Sequence, residues 1–277
     1  MRLQDILEWS ARLAGCAEVP ADSQVYVEAD SDVRRILFGV DVGVGELILA
    51  REAGFDAVIA HHPLGDQARM RMPDVVRRQV DQMVAEGIDR ADAETAVAER
   101  LEAPHRAMHA ANINQVVDAA RLLGLPVANI HLACDIISRR EIESLIARRR
   151  SGSSTVGDAL SWLDDFPEIG RGLTRPEAWL GDRSQPLGRV TVAIAGGYNG
   201  GHPAFSRYYR VGVDTIVTMH VADPDLARLR DDPVAAGKAL IVTGHMATDS
   251  IGINRVIAGL EEQGLEVVRA GGVVAPA

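Results

Sequence analysis

Lysine is almost missing from this chain: Lys238 is the only one, so the basic residues are nearly all arginine. With 29 basic against 39 acidic residues the formal net charge is −10, which argues against a dedicated nucleic-acid binder, because phosphate contacts need a basic surface. The arginine bias reads as genome composition or an adaptation to heat, not as function. Cysteine is scarce too. Cys16 and Cys134 stand far apart, which makes no disulfide framework and fits a reducing cytoplasm; Cys134 reads as a buried small hydrophobe. No stretch approaches about 18 uncharged apolar residues, so no membrane span is expected. The N-terminus, Met1-Arg2-Leu3-Gln4-Asp5-Ile6-Leu7-Glu8, carries acids inside its apolar pattern and reads as an amphipathic helix, not a signal peptide. What remains is ordinary for a soluble globular protein, with length for one large or two modest domains.

Apolar runs alternate with helical patterns, which predicts an α/β fold with largely parallel or mixed sheets flanked by helices. A helix is expected over 1–15, a strand over 36–42, a helix over 44–53 closed by Gly54, and a strand over 55–60. That strand–helix–strand spacing is a crossover unit with parallel strands. Residues 74–102 read as helices, 114–123 as a helix ended by Gly124, and 126–131 as a short strand. A basic helix over 139–150 ends in Arg148-Arg149-Arg150, a solvated helix end. Residues 165–188 read as a long connection. Further strands are expected over 190–195, 215–220 and 239–243, then a helix over 250–263 and a last strand over 265–268. The organisation is two interlocked α/β halves. Residues 1–138 carry a helical insertion at about 66–123, 139–188 connect, and 189–277 form the second half, both halves contributing to one site.

Histidine placement carries the chemistry. The run Phe55-Asp56-Ala57-Val58-Ile59-Ala60 stops in His61-His62-Pro63 where a turn would ordinarily use Gly, Asn or Asp. Pro63 disfavours helical dihedrals at His62, and neighbouring side chains on extended backbone point to opposite sides. One metal bound by both rings would need irregular backbone; two metals, one per ring, is the easier geometry. A pair of surface histidines at a loop start is the plainer alternative.

Five of the eight histidines stand at expected strand ends: His61, His62, His131, His220 and His245. Ends of parallel strands on one sheet edge converge and form ligand sites. His131 and His245 are each followed four residues later by an acid, Asp135 and Asp249. Asp249 also has the position of a helix N-cap, and Asp135 that of a cap for the segment after it. A carboxylate is a natural bridge between two cations, and Asp135 is the candidate bridge. Imidazole with carboxylate and no thiolate suits two divalent ions among Zn, Fe, Mn, Co and Ni, not a structural zinc cage. His220 reads as facing substrate or supporting the site, with a structural role as the alternative; His105, His109 and His202 are weaker. The loop Gly196 to Gly201 follows a strand but lacks the dinucleotide fingerprint and the phosphate-loop lysine, so it reads as a tight turn, not a nucleotide cradle.

Residues 36–64, with Phe38-Gly39-Val40-Asp41 and Asp56-Ala57-Val58-Ile59-Ala60-His61-His62-Pro63-Leu64, resemble the opening of the NIF-three-like (NGG-interacting factor three) family, whose members are often called GTP cyclohydrolase I type 2 homologues. Gly244-His245-Met246-Ala247-Thr248-Asp249 is similar to its last metal motif, and His131 with Asp135 to its middle one. The resemblance implies a dinuclear centre held by His61, His62, Asp135, His245 and Asp249. It implies Asp135 as bridge, His131 in support, and a hexameric ring with the sites facing inward. Two features depart from the family pattern. The final acid is Asp249 where Glu is usual, shorter by one methylene. The segment between His62 and His131 is longer and more helical, and is a candidate to reshape the site entrance.

The leading functional reading is a metal-dependent hydrolase of an unidentified small molecule, with His220 or His131 moving protons. The alternative is a non-catalytic metal-binding ring that acts in protein interaction or metal handling. A nucleic-acid-handling ring is disfavoured by the acidic balance.

Overall fold

Apolar side chains alternate along the strands, and that alternation builds two sheets covered on both faces. The computed structural model describes residues 1–194 and 199–276, without the side chains of 102–105. The strands among them are β1 (Gln24–Val27), β2 (Arg35–Gly39), β3 (Ala57–Ala60), β4 (Val127–Asn129), β5 (Glu177–Leu180), β6 (Val190–Val192), β7 (Thr215–Thr218), β8 (Ala239–Val242) and β9 (Glu266–Ala270). One sheet runs β1-β4-β3-β2-β9, parallel except for β1 against β4. The other runs β5-β8-β7-β6, parallel except for β5 against β8. The α/β class is as expected. β9 and the helix before it return to the first sheet, so the chain after 189 serves both sheets.

In the first sheet Ile36, Phe38 and Ile59 enter one core with Leu3, Ile6 and Leu7 of the helix Leu3–Leu13. Leu37 and Val58, one residue out of step, enter another with Leu47 and Val117 of the helices Val44–Glu52 and Gln115–Leu123. Period-two alternation does this, and burial on both faces explains why the strands read as continuous apolar runs. Gly124, with φ of +59°, ends the second of these helices as expected.

The helices Leu132–Arg149 and His245–Glu262 lie between the two sheets. Ile137 with Ile253 and Ile257 joins the first core, while Ile142 and Ile146 with Ala247 and Ile251 join a core against β6, β7 and β8. Their close approach rests on Gly252. A Cβ there would overlap the Cys134 carbonyl oxygen and crowd Ser138 Oγ. Ser138 Oγ donates to the Thr248 carbonyl at 2.8 Å and accepts from Gly252 N at 2.9 Å.

The insertion helices Met72–Val76, Gln79–Ala85 and Arg90–Ala110 bury Val76, Met83 and Val97 against Phe205 and Tyr208 of the helix Gly201–Arg210. A segment of the first half thus covers the second sheet. The arginines ending the helix Leu132–Arg149 are exposed, with Arg148 on Ser144 and Arg149 on Asp165.

Several local expectations need correction. The helices expected over 139–150 and 250–263 begin at Leu132 and His245, directly after the strand ends. Gly244, with φ of +94°, turns the chain from β8 into the second of them without a side-chain cap. Asp249 therefore lies one turn inside a helix and Asp135 in a first turn, and neither is an N-cap. β1 was not expected, and β5 lies inside the supposed connection. Each is four residues long and half-buried at a sheet edge, too short for an alternating pattern to stand out. The glycine-rich loop after β6 falls largely outside the described residues. Among the described residues no helix is long and apolar enough to cross a membrane.

The helix clamp is testable. Gly252→Ala should destabilise by about 1–3 kcal/mol through overpacking. Gly45→Ala, in a helix with open space around it, should stabilise by roughly 0.5–1 kcal/mol. Thermal melts of the two variants against the parent chain check this; equal melting temperatures for Gly252→Ala and the parent would count against the clamp.

Candidate metal centre

Four strand ends deliver the histidines, two from each sheet. β3 ends at Ala60 and continues as His61-His62, and β4 ends at Asn129 and leads through Ile130 to His131. β7 ends two residues before His220, and β8 three residues before His245. The ends meet across two sheets, not along one edge as expected. Backbone pairing carries on past β3: His61 N donates to Gly39 O at 2.8 Å and His62 N to Val40 O at 3.1 Å. The two rings accordingly leave in different directions, His61 fully buried and His62 half-buried.

Three of the rings are held from behind. His61 Nδ1 lies 3.0 Å from the Ile130 carbonyl, His62 Nδ1 2.8 Å from Asp41 Oδ1, and His131 Nδ1 2.7 Å from Asp22 Oδ2. A carbonyl or carboxylate oxygen only accepts, so these partners assign the proton to Nδ1 and leave Nε2 facing the centre. That is how metal-binding imidazoles are oriented. His61 Nε2 is buried and has no hydrogen-bond partner.

The carboxylates occupy the middle. Asp249 Oδ2 lies 3.2 Å from His245 Nε2, 3.5 Å from His62 Nε2 and 3.7 Å from His61 Nε2. Asp249 is 1% exposed, and neither of its side-chain oxygens has a hydrogen-bond partner. Its place comes from the helix: His245 and Asp249 are four apart and share a face. Asp135 lies 3.3 Å from His61 Nε2 and 3.9 Å from His131 Nε2. His61, Asp135 and Asp249 form one set of donors able to hold a cation, and His62, His245 and Asp249 a second; His61, His62 and His131 form a third. Asp249 is shared by two sets, while Asp135, the expected bridge, belongs to one.

Electrostatics follow from this crowding. Burial pushes the Asp249 carboxyl up, but His61, His245 and His62 outweigh it and hold it below the usual carboxylate range. Asp135 is likewise lowered, burial being outweighed by His131 and His61. Burial pushes the His131 imidazolium down, yet Asp135 and Asp22 hold its pKa up at about 9. His62 is raised too, burial being outweighed by Asp249 and Asp41. His220 is lowered by burial and by His245, whose ring centre is 4.7 Å away. His220 borders the cluster and belongs to none of the donor sets.

A cleft of about 490 Å³ opens over the cluster, with His62, His131 and His245 in its floor and Met72, Ala107 and Met108 of the insertion in its wall. Residues of the insertion thus line the cleft. His202 pairs with Asp232 outside the cluster, His109 is exposed on an insertion helix, and the His105 side chain lies outside the described ones. Asp22 escaped sequence reading. It sits in an irregular segment before β1, held by Asn129, whose Nδ2 donates to Asp22 O at 2.7 Å and whose Oδ1 accepts from Tyr26 OH at 2.8 Å.

The His131 pair sets a pH dependence for chelated protein. A raised imidazole pKa means that the folded state binds the proton more tightly than the unfolded chain. The stabilisation is fully present below about 6.5 and is lost as pH rises through about 9. Melting temperatures of chelated protein should fall across that window, and Asp22→Asn should flatten the fall. An unchanged slope in Asp22→Asn would contradict the pairing.

No family model matches the chain, and no curated protein matches it. Solved structures do. A NIF3 superfamily protein from Sphaerobacter thermophilus is 37% identical, with a TM-score of 0.91 over 98% of each chain. Reduced HcgD from Methanocaldococcus jannaschii aligns with a TM-score of 0.61 at 13% identity over 97% of each chain. A Bacillus cereus protein related to NIF3 aligns with a TM-score of 0.52 at 9% identity, covering 98% of this chain and 96% of that one. The last two likenesses show the fold alone. Helices and two mixed sheets in the same arrangement, with substantial identity over nearly the whole length, bear out the resemblance carried by His61-His62-Pro63: the chain belongs to the NIF3 superfamily.

Proposed function

We propose that the chain holds two divalent cations and is a metal-dependent hydrolase of a small molecule. The observation that carries the reading is Asp249: a buried carboxylate without hydrogen-bond donors, within 3.7 Å of three imidazole nitrogens. In this reading His61, Asp135 and Asp249 hold one cation and His62, His245 and Asp249 the other. Asp249 then takes the bridging role first expected of Asp135. The donors fit the group, being hard oxygen and imidazole nitrogen with the imidazoles oriented from behind. When bound, the cations supply Lewis-acid polarisation of the scissile group.

The chain's own residues do the rest. Asp41 and Asp22 fix the His62 and His131 rings, so the donors keep their aim. His131, fastened to Asp22, and His220, beside His245, are the side chains placed to move a proton at the floor of the cleft. The insertion supplies one wall of the cleft in which the substrate would lie. Buried unpaired Cys16 and Cys134 support a reducing cytoplasm as its setting. We extend the reading to a homo-oligomeric ring, supported by the exposed apolar side chains of Leu49 and Leu122, 59% and 90% accessible. Light scattering of the purified protein should give a multiple of the chain mass; a monomer would refute the ring.

The catalytic reading is tested by loading purified protein with Mn, Fe, Co, Ni or Zn and screening phosphoesters, amides and cyclic nucleotides. Asp249→Asn should lose bound metal at both positions by elemental analysis, and a His62→Ala, His245→Ala double variant should lose more turnover than the roughly 10–100-fold that loss of a partner supporting a metal ligand costs. Turnover surviving unchanged in the double variant would sink the hydrolase reading.

A further inference from the structure

The cleft over the cluster has two unlike walls. His62, His131 and His245 form the metal-binding side, and Arg69, Met72 and Met108 face them from the insertion. Arg69 is exposed at this mouth, and among the described residues it has no carboxylate partner. Several of its neighbours in the insertion do, though Arg78 does not. Arg71 and Arg77 pair with Asp74, Arg90 with Asp81, and Arg121 with Asp66. Arg69 is set apart by its place, in the lining of the cleft over the donor cluster. Its planar fork matches the two oxygens of a phosphate or carboxylate.

We propose that Arg69 anchors an oxyanion of the substrate, a phosphate or a carboxylate, while an apolar part of the same molecule lies on Met72 and Met108. The cleft, about 490 Å³, has room for a molecule of that kind. The arrangement deepens the hydrolase reading and rests on it: the anchored group would hold the scissile bond over His62 and His245. Thioethers suit the apolar contact because they adapt to irregular shapes. Because Arg69 lies in the insertion and not in the metal motifs, it belongs to substrate choice and not to metal binding.

The test is calorimetric titration of the full-length, zinc-loaded protein with phenyl phosphate, with phenylacetate, and with neutral 2-phenylethanol. Zinc content is measured on every sample. One of the two oxyanions should bind at least tenfold more tightly than the alcohol, and which one it is separates phosphate from carboxylate recognition. Arg69→Gln should weaken that binding tenfold or more with zinc content unchanged, and Arg69→Lys should recover part of it. Equal binding by Arg69→Gln and the parent chain would overturn the proposal. So would equal binding of the alcohol, or no binding of either oxyanion at millimolar concentration. Failure of the metal reading is seen separately, as parent protein that takes up no zinc; the ratio between Arg69→Gln and the parent chain judges Arg69 in either case.

Discussion

A buried carboxylate has to be compensated, and at Asp249 three imidazoles do it. Removing a carboxylate from water costs several kcal/mol even after relaxation. Asp249 meets that cost without one ordinary hydrogen bond, through ring nitrogens 3.2 to 3.7 Å from a single oxygen. Asp135 in turn has His61 and His131 beside it. The fold around them serves this constraint. The helices Leu132–Arg149 and His245–Glu262 start directly at strand ends, so that each acid comes back one turn later beside a histidine. Gly252 and Ser138 then bring the two helices close enough for the acids to share His61.

A ring of anchors stands behind the donors. Ile130 O, Asp41 and Asp22 each accept a hydrogen bond from an Nδ1–H, which aims the three Nε2 atoms at the centre. The three come from different places: the end of β4, the end of β2 and the segment before β1. Aim is thus imposed by backbone pairing of the first sheet, while the second sheet contributes His245 and His220. Both sheets must be assembled before the centre exists, and the two helices lying between the sheets couple their assembly.

Much of this was legible in the sequence, for physical reasons. His61, His62, His131, His220 and His245 interrupt apolar runs at the ends of strands, where a histidine has no packing role to explain it. The structure brings all five rings together, with Asp135 and Asp249 among them. Asp22 was not legible. It reaches His131 only because β1 pairs with β4 across about a hundred residues, and a four-residue edge strand leaves no periodic signal. The membership of Asp249 in two donor sets was not legible for a different reason. An acid before an apolar-periodic helix has the position of a cap as well as that of a ligand, and the early helix start, permitted by the positive φ of Gly244, is what sets Asp249 one turn inside the helix among the donors. The meeting of two sheets was hidden too, since local patterns carry no information about which strands pair. The loop from Gly196 to Tyr198 stays outside the described residues.

The central claim is that Asp249 is shared by two cations. Anomalous scattering from a crystal of zinc-loaded protein tests it most directly. The account predicts two peaks, one among His61, Asp135 and Asp249 and the other among His62, His245 and Asp249. A single peak, or peaks away from Asp249, would contradict it.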